Sequence, residues 1–224
     1  GGTGDLTINA GATLDTGTKN LTVAGITTVY GTLTCNASAV SLGSGYSADY
    51  ALKGSGTITG GTGDITIGAT SFTGNGFTKT SGTVTFNTAK VGSQSFAPGV
   101  TSSESHYDLG TSSVNFNVDG YGSTFQIEMH SGISKILQIT CGTLNIQSKF
   151  QIYNTEGEGA GTYNTLKING NLTVEAGEDF YTYYDTTSDY GSGITVTGDV
   201  TVEGTFYGNA AALVTPMTFG SLTI

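Results

Sequence analysis

The chain contains no tryptophan and no arginine: all seven basic residues are lysine, set against 17 acidic side chains for a formal net charge of −10. Binding duplex DNA or RNA draws on clustered Lys and Arg to neutralise phosphates, so a negative field without a single guanidinium excludes nucleic acid as a partner. The same lack removes the fork-shaped donor best suited to grip an acidic sugar. Proline is nearly absent, at Pro98 and Pro216 alone, and the glycines follow no period of three, which excludes collagen. No run reaches the ~18 apolar residues of a spanning helix, so no membrane span is read. The opening GGTGDLTINA has neither the charged nor the apolar region of a secretion signal. The chain starts without Met and stops at Ile224 inside a strand-like GSLTI, as expected of a processed product or a piece of something longer. Cysteine is scarce as well. Cys35 and Cys141 lie 106 positions apart with no Cys or His nearby at metal spacing, which leaves two buried thiols or one disulfide, and no zinc site. Only an oxidising compartment favours the bridge.

What is present in excess is glycine and threonine, 36 and 40 of 224 residues. Glycine costs roughly 1 kcal/mol per helix position and threonine is stiff at χ1, so a helical bundle is excluded. Linker-like disorder is excluded by the regular short clusters of Leu, Ile, Val, Phe and Tyr. Those clusters repeat. Residues 1–8 read GGTGDLTI and residues 60–67 read GGTGDITI, an offset of 59. GTLNI at 142, GNLTV at 170 and GDVTV at 198 follow at intervals of 28, and GSLTI at 220 comes 22 later. The unit is a glycine turn followed by apolar, threonine, apolar.

In a strand such a triplet turns its two apolar residues to one side and the threonine to the other. A strand this short is not stable alone. Stacked on its own neighbours at about 4.8 Å, it buries a continuous inner column and pairs its backbone above and below. Gly, Asn and Asp supply the corners. The expected fold is therefore all-β, a right-handed parallel β-helix or β-solenoid. About nine coils would make a rod on the order of 40 Å long. A β-sandwich is the alternative, since it also shows short strands with frequent turns. A single domain over 1–224 is expected, with loop excursions near 43–55, 92–113, 154–164 and 179–190.

Segments such as LTINAGATLDTGTKNLTVAGITTVYGTLTC and INGNLTVEAG resemble the parallel β-helix stalks of bacterial and archaeal surface proteins. These include filamentous-haemagglutinin-like adhesins, autotransporter passengers, and surface-layer or sheath proteins with similar Gly/Thr-rich coils. The resemblance covers most of residues 1–90 and 140–224. It implies an extracellular, cell-surface location and a structural or adhesive role, and names no substrate.

Residue chemistry points the same way. Paired carboxylates would mark a glycan-cleaving β-helix. The candidates are Glu104 with Asp108, Glu156 with Glu158, which read as solvated charges on a turn, and the set Asp179, Asp185 and Asp189; no catalytic residue is expected, and neither His106 nor His130 lies in a motif. The stretch EDFYTYYDTTSDY is the most individual, with Tyr181, Tyr183, Tyr184, Asp185, Asp189 and Tyr190 offering aromatic faces beside acceptors. That composition suits either a subunit interface or a sugar-binding face. Asp5 and Asp64 end two GGTGD turns that approach a calcium-binding roll without its tandem array; the expectation is a corner aspartate and no cofactor, with an isolated Ca²⁺ as the alternative. Asn20, Asn36 and Asn171 open N-glycosylation sequons and also suit corners. The expected function is a structural subunit of a filament, sheath or layer whose partners are other copies of itself. A carbohydrate-binding adhesin module with glycans as partners, and a phage tail-spike or fibre, are the alternatives.

Overall fold

The computed structural model describes residues 4–43, 52–68, 70–72, 76–87, 94–96, 104–117, 124–129, 136–154, 164–182, 192–208 and 218–224. Every ladder between described strands is parallel, which removes the β-sandwich, a fold built from antiparallel neighbours. The chain is a β-solenoid with three faces. Leu6–Ile8, Thr13–Asp15 and Leu21–Val23 form one side each of the first coil, and Thr27–Val29, Thr32–Asn36 and Val40–Leu42 repeat them one level on.

The third face shows the construction best. Its inner column runs in register through Leu21, Val40, Ile65, Val84, Val114, Leu144, Leu172, Val200 and Leu222, and two residues along through Val23, Leu42, Ile67, Phe86, Phe116, Ile146, Val174 and Val202. The residue between them, such as Thr22, Thr66, Thr85 or Thr173, stays outside. The G-x-apolar-Thr-apolar phrase is thus the sequence of this one face. Second and third faces merge where Ile136–Ile146 and Asn164–Val174 run through the corner as single 11-residue strands, with a register shift between Thr140 and Thr143.

The first face is built differently. Its early strands form a four-stranded sheet, and from Gln94–Phe96 onward a separate five-stranded sheet takes over. In that second sheet the inner column is aromatic: Phe150 stacks on Phe180 at 4.7 Å between ring centroids and Phe180 on Phe206 at 4.9 Å. Phe116 from the third face lies 4.6 Å from Phe125, so the rings fill the centre from two sides. Such pairs contribute about 0.5–1.5 kcal/mol each beyond the burial of their area.

Two expected excursions are corrected by this arrangement. Segment 92–113 supplies Gln94–Phe96 and Glu104–Asp108 to the first and second faces, and segment 179–190 begins with the first-face strand Asp179–Tyr181. None of these three strands carries the Gly-x-Leu-Thr-Val phrase, which belongs to the third face. Most of 43–55 and of 154–164 lies outside the described residues.

The cysteines settle as two buried free thiols rather than a disulfide. Cys35 follows Thr34 on the second coil and Cys141 follows Thr140, four ladder steps further along the same face. Four steps of about 4.8 Å put the thiols well beyond the ~7 Å Cα limit for a bridge.

One inner position carries a polar group. Thr27 sits in the first-face column between Leu6 and Leu52, is fully buried, and its hydroxyl has no hydrogen-bond partner. Leaving a buried hydroxyl unpaired costs about 1–3 kcal/mol. Thr27→Val is expected to raise stability by roughly 1 kcal/mol in urea unfolding; an unchanged or lowered midpoint would show the hydroxyl to be satisfied.

Candidate functional site

The glycine-aspartate turns are backbone-capping devices. At the start of a strand the first N–H pointing to the coil below has no carbonyl facing it. Asp5 fills that gap: its Oδ1 accepts the N–H of Ile26 at 2.8 Å, while the carbonyl of Ile26 accepts from Leu6 at 2.9 Å. Asp64 does the same for Thr83 at 2.8 Å, Asn20 for Ala39 at 3.2 Å and Asn171 for Asp199 at 3.0 Å. In each case the acceptor stands directly opposite its donor in register, immediately before the apolar-Thr-apolar triplet. The Asp of GGTGD is therefore committed to the next coil. Among the described residues no group of three or more His, Cys, Asp or Glu side chains is placed to hold a metal ion.

The second GGTGD turn has an additional task. Gly60 leaves room for the stem of Lys79, whose Cγ lies 3.1 Å from where a Cβ would stand. Lys79 is buried, and its ammonium donates to the carbonyls of Gly63 and Gly61, the latter at 3.2 Å. Burial lowers its pKa, opposed by the charge of Asp64 and by Cys35. Gly61 and Gly63 are fixed by backbone proximity, since a Cβ on either would meet the carbonyl oxygen of Asn36 or Ser38 at 2.1 Å.

Of the sequons, Asn20 and Asn171 are exposed corner residues engaged through Oδ1, as described. Asn36 adopts φ 48° and donates from Nδ2 to Asp15 at 2.6 Å, so a glycan on that nitrogen would displace an existing bond.

Of the six candidate residues in the aromatic stretch, Tyr181 is described; Tyr183, Tyr184, Asp185, Asp189 and Tyr190 lie outside the described residues. Tyr181 is on the outer side of the first face, in register with Gln151 below and Tyr207 above. Its ring stacks on Tyr207 with centroids 4.3 Å apart and planes 4° off parallel, and Lys149 Nζ stands 4.8 Å from its centroid. Its hydroxyl donates to Asp179 Oδ2 at 3.2 Å, and partial burial followed by that carboxylate's charge pushes the phenol up to about 12. A sugar stacks on an open ring face, and here a cation and a second ring attend Tyr181. Tyr207, 38% exposed, ends the ladder.

The acids form no facing pair across a groove among the described residues. Glu175, Glu178 and Asp179 are neighbours at the corner between the third and first faces; Gln147 donates to Glu175 at 2.8 Å, and partial burial, then Asp179 and Glu175, raise the pKa of Glu178. Glu156 and Glu158 lie outside the described residues. His106 on the second face lies 2.9 Å from the Thr140 hydroxyl and 3.2 Å from the Gln138 amide, an outer polar row.

Apolar surface is open around the strand Ser221–Thr223. Val202, Phe206, Phe219, Leu222 and Ile224 line an apolar hollow of about 280 Å³, with Leu222 50% and Ile224 93% exposed. At the other end Leu6, Leu14 and Leu21 are only partly buried. Among the described strands, Leu21–Val23 pairs on one side alone and so does Ser221–Thr223.

Fold and surface together define an all-β parallel β-solenoid. No family model, no curated protein and no solved structure matches the chain. No helix of the described residues is long and apolar enough to cross a membrane.

Two outcomes follow from these sites. Asp5→Ala is expected to lower thermal stability by about 1 kcal/mol, the usual worth of a side-chain cap, and Asp5→Asn to retain most of it; equal melting of Asp5→Ala and the parent would refute the capping role. Burial pushes the Cys141 thiol up to about 12. A thiol raised in this way keeps its full contribution below the unfolded value near 8.5 and loses it as pH climbs through the folded one. The stability advantage of the parent over Cys141→Ala should thus be constant below about pH 8 and shrink by up to about 1.4 kcal/mol per pH unit above it. Urea unfolding at stepped pH measures this, and a constant advantage up to pH 10.5 would contradict it.

Proposed function

We propose that the chain is a structural subunit of an extracellular surface assembly, a filament, sheath or layer, held together by β-stacking between subunits. The observation that carries the reading is the stack itself: every ladder between described strands is parallel, and Asp5, Asn20, Asp64 and Asn171 each cap the coil that follows. In such a stack each coil meets the next through backbone donors and acceptors and a buried apolar column, and strand edges of the same kind can join one chain to another. The extracellular setting rests on the resemblance of the Gly/Thr-rich coils to surface-protein stalks. Catalysis is not part of the reading; among the described residues Asp5 and Asp64 serve as corner caps. For the alternative, a carbohydrate-binding module, the observation in favour is the exposed ring of Tyr207; against it, Tyr181 is attended by Tyr207 and Lys149. The geometry suits a packed surface better than a sugar platform.

Sedimentation and negative-stain micrographs of the purified chain over a hundredfold concentration range test the proposal. Rods lengthening in steps of one subunit are expected. A monomer throughout would overturn it.

A further inference from the structure

We infer that the first face carries a hinge: between Thr70–Phe72 and Gln94–Phe96 the stack is laddered on two faces and not on the third, so the coils before and after this level form two cooperative units that part there first. The inference stands apart from the assembly reading and concerns a single chain.

The seam is a break in the ladder. Thr70–Phe72 pairs with Leu52–Gly54 on one side and Gln94–Phe96 with Phe125–Met129 on the other, but among the described residues no ladder joins Thr70–Phe72 to Gln94–Phe96, and their sheets are separate. The two strands still lie beside each other. Elsewhere on this face successive strands meet in register, as Leu6 with Thr27 or Phe125 with Phe150. The break coincides with a step in coil size: along the third face Val84 follows Ile65 by 19 residues, and Val114 follows Val84 by 30.

The other two faces stay closed at the same level. On the second, Phe77 stands in register with Tyr107 and Thr78 with Asp108; on the third, Thr83–Phe86 pairs with Ser113–Phe116 over its whole length. The corner between them is bonded as well: Lys79 N–H donates to the Asp108 carbonyl at 2.9 Å, Thr111 to Thr80 at 3.1 Å and Ser113 to Gly82 at 2.9 Å. Ring contacts back it, Phe77 on Tyr107 and Phe86 on Phe116, each with centroids 5.6 Å apart. That corner is the axis of the hinge, and opening at the first face leaves it intact. In a stacked fold each coil is held by its neighbours, so cooperativity passes from level to level through the interfaces between them. A level that lacks one of its three ladders is where it breaks, because local opening begins where backbone bonds are fewest.

Hydrogen exchange of the chain in stepped urea, read by mass spectrometry, tests the hinge. Amides up to Phe86 and amides beyond Gln94 should lose protection at separate urea concentrations. Without urea, Thr70–Phe72 and Gln94–Phe96 should exchange on the order of tenfold faster than Phe77–Thr78 and Val84–Phe86. A single transition for the whole chain, or a boundary at another level, would overturn the inference. A second experiment locks the seam. The substitutions Ser71→Cys and Ser95→Cys fall at the middle of the two strands, and the oxidised pair should merge the two transitions into one that reduction splits again. The control substitutions Lys53→Cys and Ser71→Cys fall on an in-register pair inside the four-stranded sheet, at the ~4.8 Å ladder spacing, and should leave two transitions. Two transitions that persist across the locked seam, or that merge in the control as well, would overturn the seam as the point of division.

Discussion

The parallel ladder between successive coils, in one fixed phase, is the constraint on which the rest of the structure depends. Because side chains alternate along a strand, a slip of one residue at any level would move an entire inner column into water. The chain guards the phase in two ways. Inner columns of Leu, Ile and Val on the third face and of Phe on the later first face favour one register by burial. Asp5, Asn20, Asp64 and Asn171 fix it by hydrogen bonds, each reaching the single backbone N–H that strand geometry leaves without a carbonyl.

These devices account for the odd composition. Threonine fills the outer position between two inner residues, where β-branching suits a pleated surface. Glycine is required where one coil passes close over another: Gly31, Gly56, Gly61 and Gly63 would each bring a Cβ within 2.2 Å of a carbonyl oxygen of the preceding coil. Asp5 and Asp64 stand at corners, where each caps the coil that follows. A chain built this way uses these side chains to hold its own coils together.

Much of this was legible in the sequence, and the limits follow from which face is being read. The third face repeats an apolar-Thr-apolar phrase behind a glycine, so its levels stand out by eye. The later first face uses Phe125, Phe150, Phe180 and Phe206, spaced 25, 30 and 26 apart, each in a strand with little Thr, and two of its strands were read as part of loop excursions. Their common feature was an isolated Phe returning at coil spacing. Lys79 resembled any surface lysine, since only the stacking of Gly60 beneath it reveals room for a buried stem. The aromatic stretch around Tyr181 was conspicuous in composition, but composition does not say whether a ring's faces are open; the Tyr207 stack and Lys149 decide that for Tyr181.

The central claim is that the ladder inside the chain continues across the joint between chains. Fibre diffraction from an oriented, concentrated sample measures that directly, through the axial reflection at about 4.8 Å given by strand stacking. If subunits join in register, the reflection lies on the meridian and its width reports coherence over many chains, far beyond the ~40 Å that about nine coils span. A reflection broadened to the length of one chain, or strands stacked across the fibre axis instead of along it, would contradict the account.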